Sequence, residues 1–169
     1  MDKGNREVSR QVTHWSSFFL AVLTWAVILL LLTSCASPVP GDLTDNEKLW
    51  KSQNLSNYDF TLERQCFCPE DWRGPVDIQV RNGKAVSMTY PSTGVTATEE
   101  KFGNVNTIDK LFDVLRDAYA GSGTFEQKAD TVNVTYHAQM GYPLTIYIDV
   151  SATIADEEQG YTVEDLRAR

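Results

Sequence analysis

The spacing of apolar residues changes along the chain, and each change predicts a different kind of element. Phe18 to Leu32 is apolar except for Thr24, with no polar face at any period. From Tyr58 the period is two. Tyr58, Phe60 and Leu62 fall on one side and Asp59, Thr61 and Glu63 on the other, which predicts a half-buried strand. Val76, Ile78 and Val80 alternate in the same way. Val86, Met88 and Tyr90 do so after Asn82-Gly83, a strong hairpin turn. From Ile108 the period is 3.6. Ile108, Leu111, Phe112, Leu115, Ala118 and Tyr119 mark one face of a helix, with Thr107 as its cap and Gly121 as its stop. Alternation returns at Val132, Val134 and Tyr136, and again at Leu144, Ile146, Ile148 and Val150.

Finer expectations follow from register and capping. Thr44 and Glu47 have the spacing of a capping box, which predicts a helix from Asp45 to Gln53 with Leu49 and Trp50 inward. A two-residue hairpin loop would set Val80 opposite Ala85. Joining the two apolar faces needs Val80 with Val86 and Ile78 with Met88, so a bulge is expected near Lys84. Parity beyond Leu62 puts Arg64, Cys66 and Cys68 on the apolar face, where Arg64 is the odd member. Pro69 to Pro75 and Pro91 to Asn104 read as loops, and Tyr161 to Arg169 as a short strand or a helical turn. The order α-β-β-β-α-β-β predicts an α+β domain. It has an antiparallel sheet of about five strands, covered on one face by an amphipathic helix. The other face is left for solvent or a partner.

Charge and the N-terminus change this picture. The 169 residues suit one domain, and 15 Lys+Arg against 23 Asp+Glu give a net charge of −8. That balance argues against nucleic acid as a partner. Lys3, Arg6 and Arg10 precede the apolar run Phe18 to Leu32, which is the order of a secretory signal. Fifteen residues fall short of the roughly 20 that a spanning helix needs. Leu32-Thr33-Ser34-Cys35, at the end of the run, resembles the bacterial lipobox. The resemblance implies cleavage between Ser34 and Cys35 and a lipid on the Cys35 thiol, which would be the protein's contact with a membrane. Ala36, rather than Asp, follows the cysteine, which favours the outer over the inner membrane and a periplasm-facing domain. The expected organisation is a signal over 1–34, a lipidated cysteine and tether over 35–45, and one domain over 46–169. The signal carries three basic and two acidic residues. The mature chain of 135 residues keeps 12 basic and 21 acidic ones, a net charge of −9. An extended tether of ten residues would reach about 30 Å.

Candidate chemistry is sparse. With Cys35 taken by lipid, Cys66 and Cys68 are left as a pair in an oxidising compartment. A structural disulfide, two free thiols, and a redox or metal-binding pair all fit this spacing. A fully extended i, i+2 pair is separated by roughly 6.5–7 Å, so a bridge needs a kink beside Pro69. After cleavage His137 is the one histidine left, too few ligands with two cysteines to predict zinc. No metal or other cofactor is expected. Asp156-Glu157-Glu158 reads as a solvated acidic loop, and no phosphate loop, nucleophile elbow or His-Glu-x-x-His is present. Trp50, Trp72, Tyr90 and Tyr142 are candidates for an aromatic surface. Trp72, Tyr142 and His137 form the candidate binding residues.

Several segments together carry a family resemblance: Tyr58 to Pro69, Arg73-Gly74-Pro75-Val76, Val80 to Val86, the helix from Ile108 to Leu115, and Gly141-Tyr142-Pro143. They resemble the uncharacterised bacterial family called domain of unknown function 6174, over roughly Trp50 to Leu166. The resemblance implies a secreted or lipid-anchored protein and assigns no activity. The expected function is a non-catalytic envelope lipoprotein binding another envelope protein or a small ligand. Thiol-disulfide or metal handling by Cys66 and Cys68 is an alternative. An inhibitor-like domain acting through the open sheet face is another.

Overall fold

The structure is a computed structural model that describes residues 40–169. The segment expected to be a signal, with Ser34 and Cys35, lies outside the described residues. The chain enters through α1 (Gly41–Ser52) and then forms β1 (Tyr58–Gln65), α2 (Glu70–Arg73), β2 (Val76–Arg81) and β3 (Lys84–Thr89). It continues through α3 (Glu99–Phe102), α4 (Ile108–Ala120), β4 (Thr131–Tyr136), β5 (Pro143–Asp149) and β6 (Gln159–Ala168). The α+β class is as expected, but the sheet has six strands, in the order β3-β2-β1-β6-β5-β4. Every pairing is antiparallel. Two three-stranded meanders, β1–β3 and β4–β6, are joined where the first strand pairs with the last.

The sixth strand is the main departure from the expected order. Tyr161 and Val163 are buried, but the alternation then fails. Asp165 takes a positive φ of 53°, and the β1–β6 register shifts between Asp59 and Thr61. This bulge puts an extra residue in the strand and erases its period of two. The β2–β3 hairpin does contain a bulge, but at Val86 rather than near Lys84. Asn82 and Gly83 both have positive φ, which locks Arg81 opposite Lys84 and Val80 opposite Ala85. The register recovers only at Gln79 with Ser87 and Ile78 with Met88. Val86 is therefore turned out and is 60% exposed.

Tyr58, Phe60 and Leu62 of β1 are buried as predicted, with Val76, Ile78 and Val80 of β2 and Ile146 and Ile148 of β5. Leu111, Phe112, Leu115 and Ala118 of α4 cover this face. Thr107 caps α4 by accepting from Lys110 N at 3.3 Å, and Gly121 ends it in the left-handed conformation. Tyr58 Oη accepts from Ile108 N at 3.1 Å, tying β1 to the helix start. Burial pushes the Tyr58 phenol up to about 12, against that hydrogen bond.

The first helix begins earlier than the Thr44–Glu47 spacing implies, because Pro40 sits at its N-cap. The Thr44 hydroxyl donates to Pro40 O at 3.5 Å and caps nothing. Glu47 turns instead to Lys51 at 2.6 Å and Arg116 of α4 at 2.7 Å. The expected tether through Asp45 is thus helical from Gly41 on. Both expected loops also contain a helical turn, α2 and α3, and Phe102 of α3 is fully buried.

Candidate functional site

Strand β1 ends at Gln65, and Cys66 and Cys68 are joined by a disulfide with their Cα atoms 5.3 Å apart. That separation is well under the roughly 6.5–7 Å of an extended i, i+2 pair, so the chain is pinched between them. The residue between, Phe67, is pushed outward and is 82% exposed. A singly exposed apolar side chain is ordinary on a protein surface; what marks Phe67 is that it borders a concavity.

Beside this tip lies an open cleft of about 550 Å³. Arg64, Cys66, Phe67 and Cys68 line one wall, and residues 124–127 after α4 line another. Val150 and Ile154 from the β5–β6 loop and Asp156 to Gln159 complete it. Ile154 is 58% exposed. A smaller hollow of about 280 Å³ also reaches Phe67 and is lined by Gln65, Tyr147, Glu158 and Gly160, among others. Phe67, Asp156, Glu158 and Gln159 belong to both.

Arg64 explains its own place on the apolar face. Its guanidinium carbon lies 5.4 Å from the centre of the Phe102 ring and 5.5 Å from that of Tyr161. Two π-faces thus hold the cation where a carboxylate would be expected. Nη2 donates to Asn104 Oδ1 at 3.2 Å, and Nε is buried without a partner. Among the described residues no carboxylate lies within ion-pair distance of Arg64, although it is only 8% exposed. Burial raises the pKa of the Tyr161 phenol, against the opposing pull of the neighbouring Arg64.

The other sequence candidates are placed elsewhere or used up in packing. Tyr142 is buried rather than a surface aromatic. It meets Trp50 edge-on at 6.1 Å, and Trp50 is buried too. The His137 ring stacks on Tyr142 at 4.9 Å, and its Nδ1 accepts from Gln139 N and Met140 N. His137 and Tyr142 therefore close the β4–β5 turn. That turn presses on α1 so closely that a Cβ on Gly141 would lie 2.3 Å from Asn46 O. It is at the end of β5 opposite the disulfide, since Tyr136 pairs with Pro143 while Tyr147 pairs with Gly160 and Gly160 with Gln65. His137 is thus at the far end of the sheet from Cys66 and Cys68. Among the described residues no group of three or more such side chains could hold a metal ion. Trp72 is half-buried on α2 and does not line the cleft. Tyr90 is half-buried, packed edge-on against Phe102 at 6.2 Å.

Phe67 and Ile154 carry no sequence signal of their own. Each is a single apolar residue outside any periodic run, and strand pairing alone brings them to one cleft. Among the described residues no helix is long and apolar enough to cross a membrane.

No curated protein and no solved structure gives a significant match. The profile of one family matches residues 42–168, from the first turn of α1 to the end of β6, and so takes in the whole sheet and every wall of the cleft. The chain belongs to this family, the "Family of unknown function (DUF6174)".

Proposed function

We propose that this protein is a bacterial envelope lipoprotein whose folded domain is a non-catalytic binding module, and that the cleft beside Cys66–Cys68 is its binding site. The observation that carries the reading is the exposure of Phe67 and Ile154 at one concave site. Apolar anchors beside a concavity are what a recognition site needs. The disulfide limits the freedom of Phe67 before binding, which lowers the entropy lost on association. The lipobox-like Leu32-Thr33-Ser34-Cys35 supports anchoring through Cys35, and Ala36 supports the outer membrane.

Two experiments test the parts separately. Replacing Cys35 with Ala should leave an unprocessed precursor, seen by mass. Normal processing of that variant would contradict the anchoring. Affinity capture from the native envelope should recover partners with the wild-type protein and lose them with Phe67→Ala/Ile154→Ala. Both residues are exposed, so the fold should survive the change. Capture unaffected by the double variant would contradict the site.

A second reading, thiol-disulfide exchange, is favoured by the placement of the Cys66–Cys68 bond in the wall of an open cleft that Arg64 also lines. A cation nearby favours a thiolate. Equilibration with glutathione buffers separates the readings. A bond that stays oxidised in them is structural.

A further inference from the structure

Two features of the cleft have opposite sign. Its wall contains Arg64, 8% exposed, whose guanidinium lies between the Phe102 and Tyr161 rings with no carboxylate partner among the described residues. Buried charges are normally paired or hydrogen-bonded throughout. Arg64 donates to Asn104 Oδ1 and acts on the Tyr161 phenol, and its Nε is buried without a partner. Around it stand Glu126, Asp156, Glu157 and Glu158, and none of these has an ion-pair partner among the described residues. Glu157 accepts from Ser151 N at 2.5 Å and so fixes the loop. Glu126, Asp156 and Glu158 make no side-chain hydrogen bond among the described residues. Phe67, Phe125, Val150 and Ile154 supply the apolar surface between the charges.

From this arrangement we infer that the cleft takes a short zwitterionic peptide, with its free carboxylate at Arg64 and its ammonium group among the carboxylates of Glu126, Asp156 and Glu158. The inference rests on the reading of the cleft as a binding site and names its ligand class. A planar guanidinium suits a carboxylate. An anion alone would meet four carboxylates in the same cleft, and a cation alone would leave Arg64 unpaired. A molecule carrying both charges, with apolar side chains between them, matches every wall. A cleft of about 550 Å³ has room for a di- or tripeptide.

The test uses the full-length protein, purified in detergent and immobilised. Three probes are passed over it: a random tripeptide mixture with free ends, the same mixture amidated at its C-termini, and the same mixture acetylated at its N-termini. Free-ended peptides should be retained, and each modification should cut retention about tenfold or more. Arg64→Gln should abolish the distinction between free and amidated peptides. Arg64 is buried, so a surface variant guards against misfolding. Glu126→Gln/Glu158→Gln should keep the dependence on a free carboxylate and lose that on a free amine. Amidated peptides retained as well as free ones would overturn the inference. So would no retention of any mixture while Phe67- and Ile154-dependent capture from the envelope persists, and in that case the binding site stands with a different ligand. Loss of both would overturn the inference together with the binding reading.

Discussion

Asp59 accepts from Arg81 Nη1 at 2.7 Å and Arg169 Nε at 2.6 Å. It therefore links β1 to β2 and to the end of the chain beyond β6 on the open face. Burial pulls its carboxyl up, but the hydrogen bonds and charges of the two arginines outweigh this and hold it below its ordinary value of 3.8. A lowered folded-state value means stability that is present above the ordinary value and lost as pH falls through the lowered one. Asp59→Asn should therefore cost about 1 kcal/mol or less at about pH 7, the scale of a partly exposed ion-pair network. In urea titrations the gap from wild type should shrink as the solution is acidified below about pH 4. A gap that does not change with pH would count against the arginine clamp. Gly141 is a sharper case. Its φ is +79°, and a Cβ there would lie 2.3 Å from Asn46 O of α1. Gly141→Ala should destabilise by about 2 kcal/mol or more, read as a lower denaturation midpoint. This would show that the His137–Tyr142 turn is structural.

Among elements, the two helices give a paired prediction. Thr107 caps α4, whereas Thr44 lies inside α1 and caps nothing. Thr107→Ala should cost about 1 kcal/mol. Thr44→Ala should stay within about 0.5 kcal/mol of wild type. Equal losses in thermal melts would contradict the placement of the caps. The disulfide closes a loop of only three residues, so its chain-entropy effect is small. Cys66→Ser/Cys68→Ser should cost about 1.5 kcal/mol, while the freed Phe67 weakens capture. The strands and the helix that carry a clean period were legible: β1 and β2 bury the residues the alternation selects, and β5 and α4 bury most of theirs, with Leu144, Val150 and Tyr119 only half-buried. The elements that were misread contain a local feature that defeats the period. The positive φ of Asp165 breaks β6, the Asn82-Gly83 turn moves the bulge to Val86, and Pro40 starts α1 early.

At the scale of the whole molecule, less of the site than of the fold was legible. Cys66 and Cys68 stood out as a pair, because two thiols at i, i+2 are rare enough to notice. Arg64 stood out only as an anomaly, since its partners Phe102 and Tyr161 lie far along the chain. Ile154 and Glu126 could not be joined to Phe67 from spacing alone. Their meeting depends on β6 inserting between β1 and β5, the strand that the sequence left undecided. The surface chemistry concentrates at this one end of the sheet. An apolar tip, a nearly buried cation and carboxylates without ion-pair partners among the described residues converge there, while His137 and Tyr142 close the other end. The most direct test is a photo-crosslinking residue placed at Phe67 in the lipidated protein in living cells, with the same residue at Val86 as the control. Val86 is also exposed and apolar, but it sits on edge strand β3 and does not line the cleft. The account predicts discrete crosslinks from Phe67 and none from Val86. No crosslink from Phe67, or the same products from both positions, would contradict it.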